Sequence, residues 1–177
     1  MIIQFCGLSG SGKTTLARKI KDYFIPEKIS IEIIDGDDYR QNLCSDLGYS
    51  REDRNTNIRR LAFIAGKLAQ YNIIPIICAI NPYDDIRKEI TITYPDVKTV
   101  YINCSLSELI KRDTKGLYAK AILPEGHPDK INNLSGINDP FEIPARPDLI
   151  IETDHETIST SSLKLKEFIE MNLYTKK

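Results

Sequence analysis

Apolar residues along the chain alternate between two periods. Ile2-Ile3-Gln4-Phe5-Cys6 is a short apolar run of the kind that forms a buried strand, and residues 31–35, 73–80, 97–102 and 148–152 repeat that pattern. Between the runs lie segments of helical spacing. The first helix runs to about Phe24, where Pro26 closes it. Residues 38–46 look helical and end at Gly48. Ser50-Arg51-Glu52-Asp53 is a capping box, and Ile58, Leu61, Ile64, Ala65 and Leu68 then form one core-facing stripe to about Tyr71. Residues 84–92, a segment capped by Ser105 or Ser107 and reaching Arg112, and residues 158–173 complete the helices. Strands alternating with helices predict an α/β fold with a five-stranded parallel sheet.

Residues 114–147 break this rhythm. They are rich in proline, glycine, asparagine, aspartate and lysine and lack strong periodicity. So long a segment is disordered or a functional lid, and beside a phosphoryl-transfer site a lid that excludes water is the reading that fits.

Composition narrows the function classes. A chain of 177 residues predicts one domain, 1–177, and 41% hydrophobic with 28% charged residues suits a globular protein. A net charge of −1 gives no general nucleic-acid or membrane surface. With neither a leader-like segment nor an apolar run of spanning length, the expected location is the cytoplasm. Cys6, Cys44, Cys78 and Cys104 form no CxxC pair and read as small buried hydrophobes. His127 and His155 are far apart, which argues against a structural metal.

The chemistry begins at Gly7-Leu8-Ser9-Gly10-Ser11-Gly12-Lys13-Thr14, which fits G-x-x-x-x-G-K-[ST] between a strand and a helix that opens with Thr15. Such a loop turns backbone N–H groups around phosphate oxygens at a helix N-terminus. Lys13 can reach the β- and γ-phosphates, and the Thr14 hydroxyl can hold Mg²⁺. Asp35-Gly36-Asp37 follows at the carboxyl end of the second strand, where ligands of such sheets bind. Asp37 can accept a hydrogen bond from an acceptor hydroxyl, orient a water on Mg²⁺, or simply cap a helix. Arg40, Arg54, Arg59 and Arg60 offer forks for an anionic acceptor, though not all can face one ligand. Asn57 is a polar neighbour of the apolar stripe. At the lid start, Arg112 can stack on the donor nucleotide and Lys115 can reach an acceptor phosphate, or both can complement a helix dipole.

These motifs, taken in order, resemble the adenylylsulfate kinases (APS kinases). The resemblance is carried by residues 35–40, 46–54, 57–60, 112–118 and Gly136-Ile137-Asn138-Asp139-Pro140-Phe141-Glu142-Ile143-Pro144. It implies a three-layer P-loop kinase fold with a lid. It implies phosphorylation of the 3′-hydroxyl of adenosine 5′-phosphosulfate (APS) by Mg·ATP, giving 3′-phosphoadenosine 5′-phosphosulfate (PAPS) and ADP in sulfate assimilation. The resemblance also assigns roles. Lys13 and Asp37 are catalytic. Thr14 and Asp35 hold Mg²⁺, partly through water. Residues 7–15 and Arg112 bind ATP. Arg40, Tyr49, Arg54, Asn57, Ile80 and Lys115 bind the acceptor, with Tyr49 stacking on its adenine. A homodimer and a functional link to ATP sulfurylase follow as expectations.

Three departures fall on the acceptor side. Asn81-Pro82 stands where the family usually has Ser-Pro, and asparagine cannot carry a phosphoryl group, so direct in-line transfer is the mechanism to write. Leu134-Ser135-Gly136 replaces Phe-Thr-Gly, leaving Leu134 to pack on the base without an aromatic face. Residues 123–130 lengthen the lid. Two alternatives therefore stand beside the main reading: a sister kinase acting on another nucleotide anhydride, such as a cytidine diphosphate derivative, and a nucleotide-binding regulator without catalysis.

Overall fold

A computed structural model describes residues 1–174. Five parallel strands form one sheet in the order β2-β3-β1-β4-β5. They are β1 (Ile2–Cys6), β2 (Ile31–Asp35), β3 (Ile74–Cys78), β4 (Val97–Asn103) and β5 (Leu149–Glu152). The helices are α1 (Lys13–Phe24), α2 (Gly36–Asn42), α3 (Arg51–Ala69), α4 (Asp84–Thr93), α5 (Leu106–Arg112), α6 (Leu117–Ala121) and α7 (Ile158–Tyr174).

The period-2 geometry of the strands divides the core into two layers. Ile3 and Phe5 of β1 and Ile76 of β3 join Leu16, Ile20, Leu165 and Ile169 of α1 and α7. Their sequence neighbours Ile2 and Ile77 face the other way, onto Ile58, Leu61, Ala65, Ile86 and Ile90 of α3 and α4. Both faces of the sheet are thus covered, which is why the central strands β1 and β3 are mostly apolar. A third, smaller cluster lies under α5 and α6 and joins Cys104, Leu109, Tyr118, Ala121 and Leu134.

The helix expected over 38–46 is shifted and shorter. The Asp35 carboxylate accepts from the Asp37 N–H at 3.0 Å and so starts α2 at Gly36. Its last turn is closed by the Leu43 and Cys44 N–H groups, which both donate to the Tyr39 carbonyl, and the Cys44 side chain is buried.

The segment 114–147 carries α6 and otherwise runs irregularly. Contacts along its length tie it down, two of them around α6. The Asp113 carboxylate accepts from the Tyr118 and Ala119 N–H groups, which lowers its pKa and caps α6. The Tyr118 hydroxyl donates to the Ser9 carbonyl at 2.8 Å, joining α6 to the glycine loop. Among the described residues, no helix is long and apolar enough to cross a membrane.

Candidate active site

The loop between β1 and α1 is set against the sheet by backbone contacts. The Gly7 N–H donates to the Ile80 carbonyl at 3.1 Å. A Cβ on Gly7 would lie 2.4 Å from the Ile102 carbonyl oxygen, so only glycine allows this approach. The Lys13 ammonium folds back on its own loop, donating to the Gly7 carbonyl at 2.8 Å, the Leu8 carbonyl at 2.7 Å and Ser11 Oγ at 3.3 Å. Burial pulls its pKa down to about 8, and the nearby Lys115 ammonium adds to the effect.

A cleft of about 220 Å³ opens over this loop. Ser9, Gly10, Gly12, Lys13, Thr14 and Thr15 form one wall; Asp35, Asp37, Ile80, Thr114 and Lys115 are among the residues of the other. Thr14 Oγ1 donates to Asp35 Oδ2 at 2.9 Å, so the two expected Mg²⁺-side oxygens are already together. This hard-oxygen pair fits Mg²⁺, which keeps waters and phosphate oxygens and needs few protein ligands. Among the described residues, no group of three or more His, Cys, Asp and Glu offers an alternative all-protein metal cage. Asp37 and Lys115 form an ion pair across the cleft.

A second cavity of about 90 Å³ adjoins the first, and Asp37 and Ile80 line both. Arg40, Tyr49, Arg54, Asn57 and Asn81 also line it. Tyr49 is gripped by two guanidinium groups, Arg40 at 4.7 Å and Arg54 at 5.4 Å from its ring centroid. Arg54 is buried and braced: Nε donates to the Tyr49 carbonyl, and Nη2 contacts the Asn133 carbonyl and Asp139 Oδ2. Arg59 and Arg60 turn away. Arg59 pairs with Glu52 and Glu89, and Arg60 with Asp46. The side-chain Oδ1 atoms of Asn57 and Asn81 are buried without a hydrogen-bond partner.

Two expected ligand residues lie elsewhere. Leu134 lines neither cavity; it is 5% exposed and packs in the cluster with Tyr118 and Leu109. The reason is local: its N–H donates to Asn138 Oδ1, and its carbonyl accepts from Ile137, Asn138 and Asp139, which pulls the side chain inward. Arg112 also stands outside the cleft. Its Nε donates to Glu108 and its Nη2 to the Thr153 carbonyl.

Three residues were given no role from the sequence. Thr153 Oγ1 donates to the Ser11 carbonyl at 3.0 Å, bracing the loop from the end of β5. A polar residue at a strand's carboxyl end was the available signal. Tyr118 and Asp139 stand in the motifs that carry the resemblance, but their contacts were not readable, because each acts through a partner far along the chain. The four cysteines are free and buried, and burial pushes the Cys6 and Cys78 thiols up to about 12, so they stay protonated.

A family model for adenylylsulphate kinase matches residues 1–152. The chain belongs to the adenylylsulphate kinase family. Adenylyl-sulfate kinase of Chloroflexus aurantiacus is 44% identical over 154 residues, covering 87% of this chain and 80% of that protein. Adenylyl-sulfate kinase of Deinococcus deserti is 37% identical over 171 residues, covering 97% and 92%. The Mycobacterium tuberculosis APS kinase CysC, solved in complex with AMPPNP and APS, superposes with a TM-score of 0.87 at 33% identity, covering 96% of both chains. The family fold, a parallel five-stranded sheet flanked by helices with a P-loop after β1, is the fold of this chain.

Proposed function

We propose that this chain transfers the γ-phosphoryl group of ATP to the 3′-hydroxyl of APS, giving PAPS and ADP. The observation that carries the reading is the meeting of two cavities at Asp37 and Ile80: one over the phosphate loop, one beside Arg40, Tyr49 and Arg54. Donor and acceptor can then approach in line, which is most of what phosphoryl transfer asks of a protein.

ATP lies along residues 7–15, with the loop N–H groups and Lys13 on its phosphates. Thr14 and Asp35 would hold Mg²⁺, partly through water, and the ion would supply positive charge against the developing charge of the transferring phosphoryl group. The adenine side of ATP extends toward Arg112. Arg40, Arg54 and Lys115 take the phosphosulfate end, and Tyr49 stacks on the acceptor adenine beside Asn57 and Asn81. Lys115 leaves Asp37 for this anion, freeing the carboxylate to accept the 3′-hydroxyl proton. The new bond joins the 3′-oxygen to the γ-phosphorus, the bond from that phosphorus to the β–γ bridging oxygen breaks, and ADP departs. Residues 114–147 close over both ligands as a lid on the single domain 1–177.

The same reading places the enzyme in the cytoplasm, as a homodimer, in sulfate assimilation. APS is a mixed anhydride of sulfate and AMP, so an adenylating enzyme, ATP sulfurylase, must supply it. The test is ADP release with a panel of acceptors. ADP release with APS is the expected result. Turnover of a cytidine diphosphate derivative without turnover of APS overturns the acceptor, and ATP binding without any turnover overturns the reaction.

A further inference from the structure

Gln4 is the one polar residue of β1 and is fully buried. Its carboxamide has no freedom to flip. Nε2 lies 3.2 Å from the Arg87 carbonyl oxygen, which can only accept. It also lies 3.3 Å from Thr91 Oγ1, whose own hydrogen is given to that same Arg87 carbonyl at 2.9 Å. The nitrogen of Gln4 must therefore face α4, and Oε1 must face Asn81. Because Oε1 can only accept, the Asn81 atom 3.1 Å away is the amide nitrogen. Asn81 Oδ1 is then turned from Gln4 and stands buried without a partner, on a residue that lines the second cavity and is 1% exposed. The backbone of Asn81 is pinned as well: its φ is +48°, and its carbonyl accepts from Arg87 Nη1 at 2.6 Å.

We propose that Gln4 is a positioning residue of the acceptor site: it locks the Asn81 carboxamide so that Oδ1 accepts a hydrogen bond from a hydroxyl of the acceptor nucleotide. This rests on the function proposed above and deepens it. An unpaired buried carbonyl is costly, and a ligand donor that satisfies it gains by the same amount. Asn81 follows Ile80, which lines both cavities, so the donor belongs to the part of the acceptor nearest the phosphoryl group, its ribose. A ligand without a hydrogen to give at this point is disfavoured.

The test is a coupling measurement. Gln4→Met keeps the side-chain length and removes the lock. In the wild-type background it raises the acceptor KM about 10-fold with the ATP KM unchanged, and in the Asn81→Ala background it changes the acceptor KM by less than about 2-fold. Equal increases in both backgrounds overturn the proposal, since a merely structural Gln4 acts regardless of Asn81. Asn81→Asp approaches the relay from the other end: its carboxylate oxygen faces Gln4 Oε1, and the acceptor KM rises while the ATP KM holds. An unchanged acceptor KM in this variant also overturns the proposal. Should Gln4→Met fail to fold, exchange of the Asn81 side-chain amide protons in the wild-type protein decides. Slow exchange supports the lock, and exchange at the rate of a free amide overturns it. A wild-type protein that releases no ADP with APS refutes the proposed function alone, because the exchange experiment still reads the lock.

Discussion

Lys115, at the start of the lid, is ion-paired with Asp37 in the first turn of α2. The pair spans 78 residues of sequence, and both residues line the cleft over the loop. Both groups are more than half exposed, Lys115 at 53% and Asp37 at 70%, so solvent screens the attraction and an incoming anion can displace it. Lys115→Met should leave Tm within about 2 °C of wild type and raise the acceptor KM about 10-fold. Asp37→Asn should instead lower kcat by a factor of about 10² or more with ATP affinity retained, as loss of a proton acceptor does. Steady-state kinetics with a thermal melt separates the two; wild-type kcat in Asp37→Asn excludes Asp37 as the proton acceptor.

Arg54 has a second duty that the sequence did not disclose. Its guanidinium, with the side chain only 8% exposed, ties α3 to the Tyr49 carbonyl, the Asn133 carbonyl and Asp139. Arg54→Ala removes a buried side chain and leaves these partly exposed acceptors to water, and should cost about 2 kcal/mol, a fall in Tm of roughly 5 °C, together with a raised acceptor KM. Arg54→Lys should recover part of the stability but not the KM, because a point charge cannot reproduce the fork. A stable Arg54→Ala with only a KM defect would show that the bracing contributes little.

How far the sequence was readable follows from the range of each interaction. The loop from Gly7 to Thr14 and the Asp35–Asp37 turn are local, and their spacing is their chemistry. β1 and β3 were legible because they are buried on both faces, and β2, β4 and β5 because each still carries a short apolar run onto the core. Arg54, Tyr49 and Asn57 line one cavity because α3 and the turn before it are contiguous in the chain. Leu134 was read as a face for the acceptor base, yet Asn138 draws its backbone into a turn that buries the side chain. Gln4 carried no signal, since a lone amide in an apolar run finds its partners 77–95 residues away. The early start of α2 was visible in principle, as Asp35 is a good cap, but the polar residues after it hid where the helix ends.

The buried Lys13 makes nucleotide binding pH-dependent. Its pKa in the folded, ligand-free protein is about 8, against an ordinary value of 10.5. Between those values the folded state holds fewer protons than the unfolded one, so this group's contribution to stability increases as pH rises through the window. ATP phosphates favour the charged form and raise the pKa again, so binding near pH 8.5 takes up a proton. Calorimetric heats of binding of a non-hydrolysable ATP analogue should therefore vary with buffer ionisation enthalpy at pH 8.5 and much less at pH 6.5. Affinity should weaken as pH rises above about 8. Lys13→Met should abolish the buffer dependence; its persistence in that variant would place the proton elsewhere.

Gly136 couples the lid to the phosphate loop. Its φ is +88°, and a Cβ there would lie 2.7 Å from Leu8 Cδ2 and 3.0 Å from Leu8 Cδ1. Two penalties follow for Gly136→Ala: a left-handed backbone on a residue with a Cβ, about 1–2 kcal/mol, and a push on Leu8 inside the loop that holds ATP. The variant should lose roughly 2–3 kcal/mol in denaturant unfolding and raise the ATP KM several-fold, although Gly136 lines neither cavity. The two penalties separate in Leu8→Ala/Gly136→Ala. Removing the Leu8 side chain relieves the clash, so relative to Leu8→Ala the second substitution should cost only the backbone term and leave the ATP KM unchanged. If Gly136→Ala raises the ATP KM equally with and without Leu8, the lid does not reach the nucleotide through this contact.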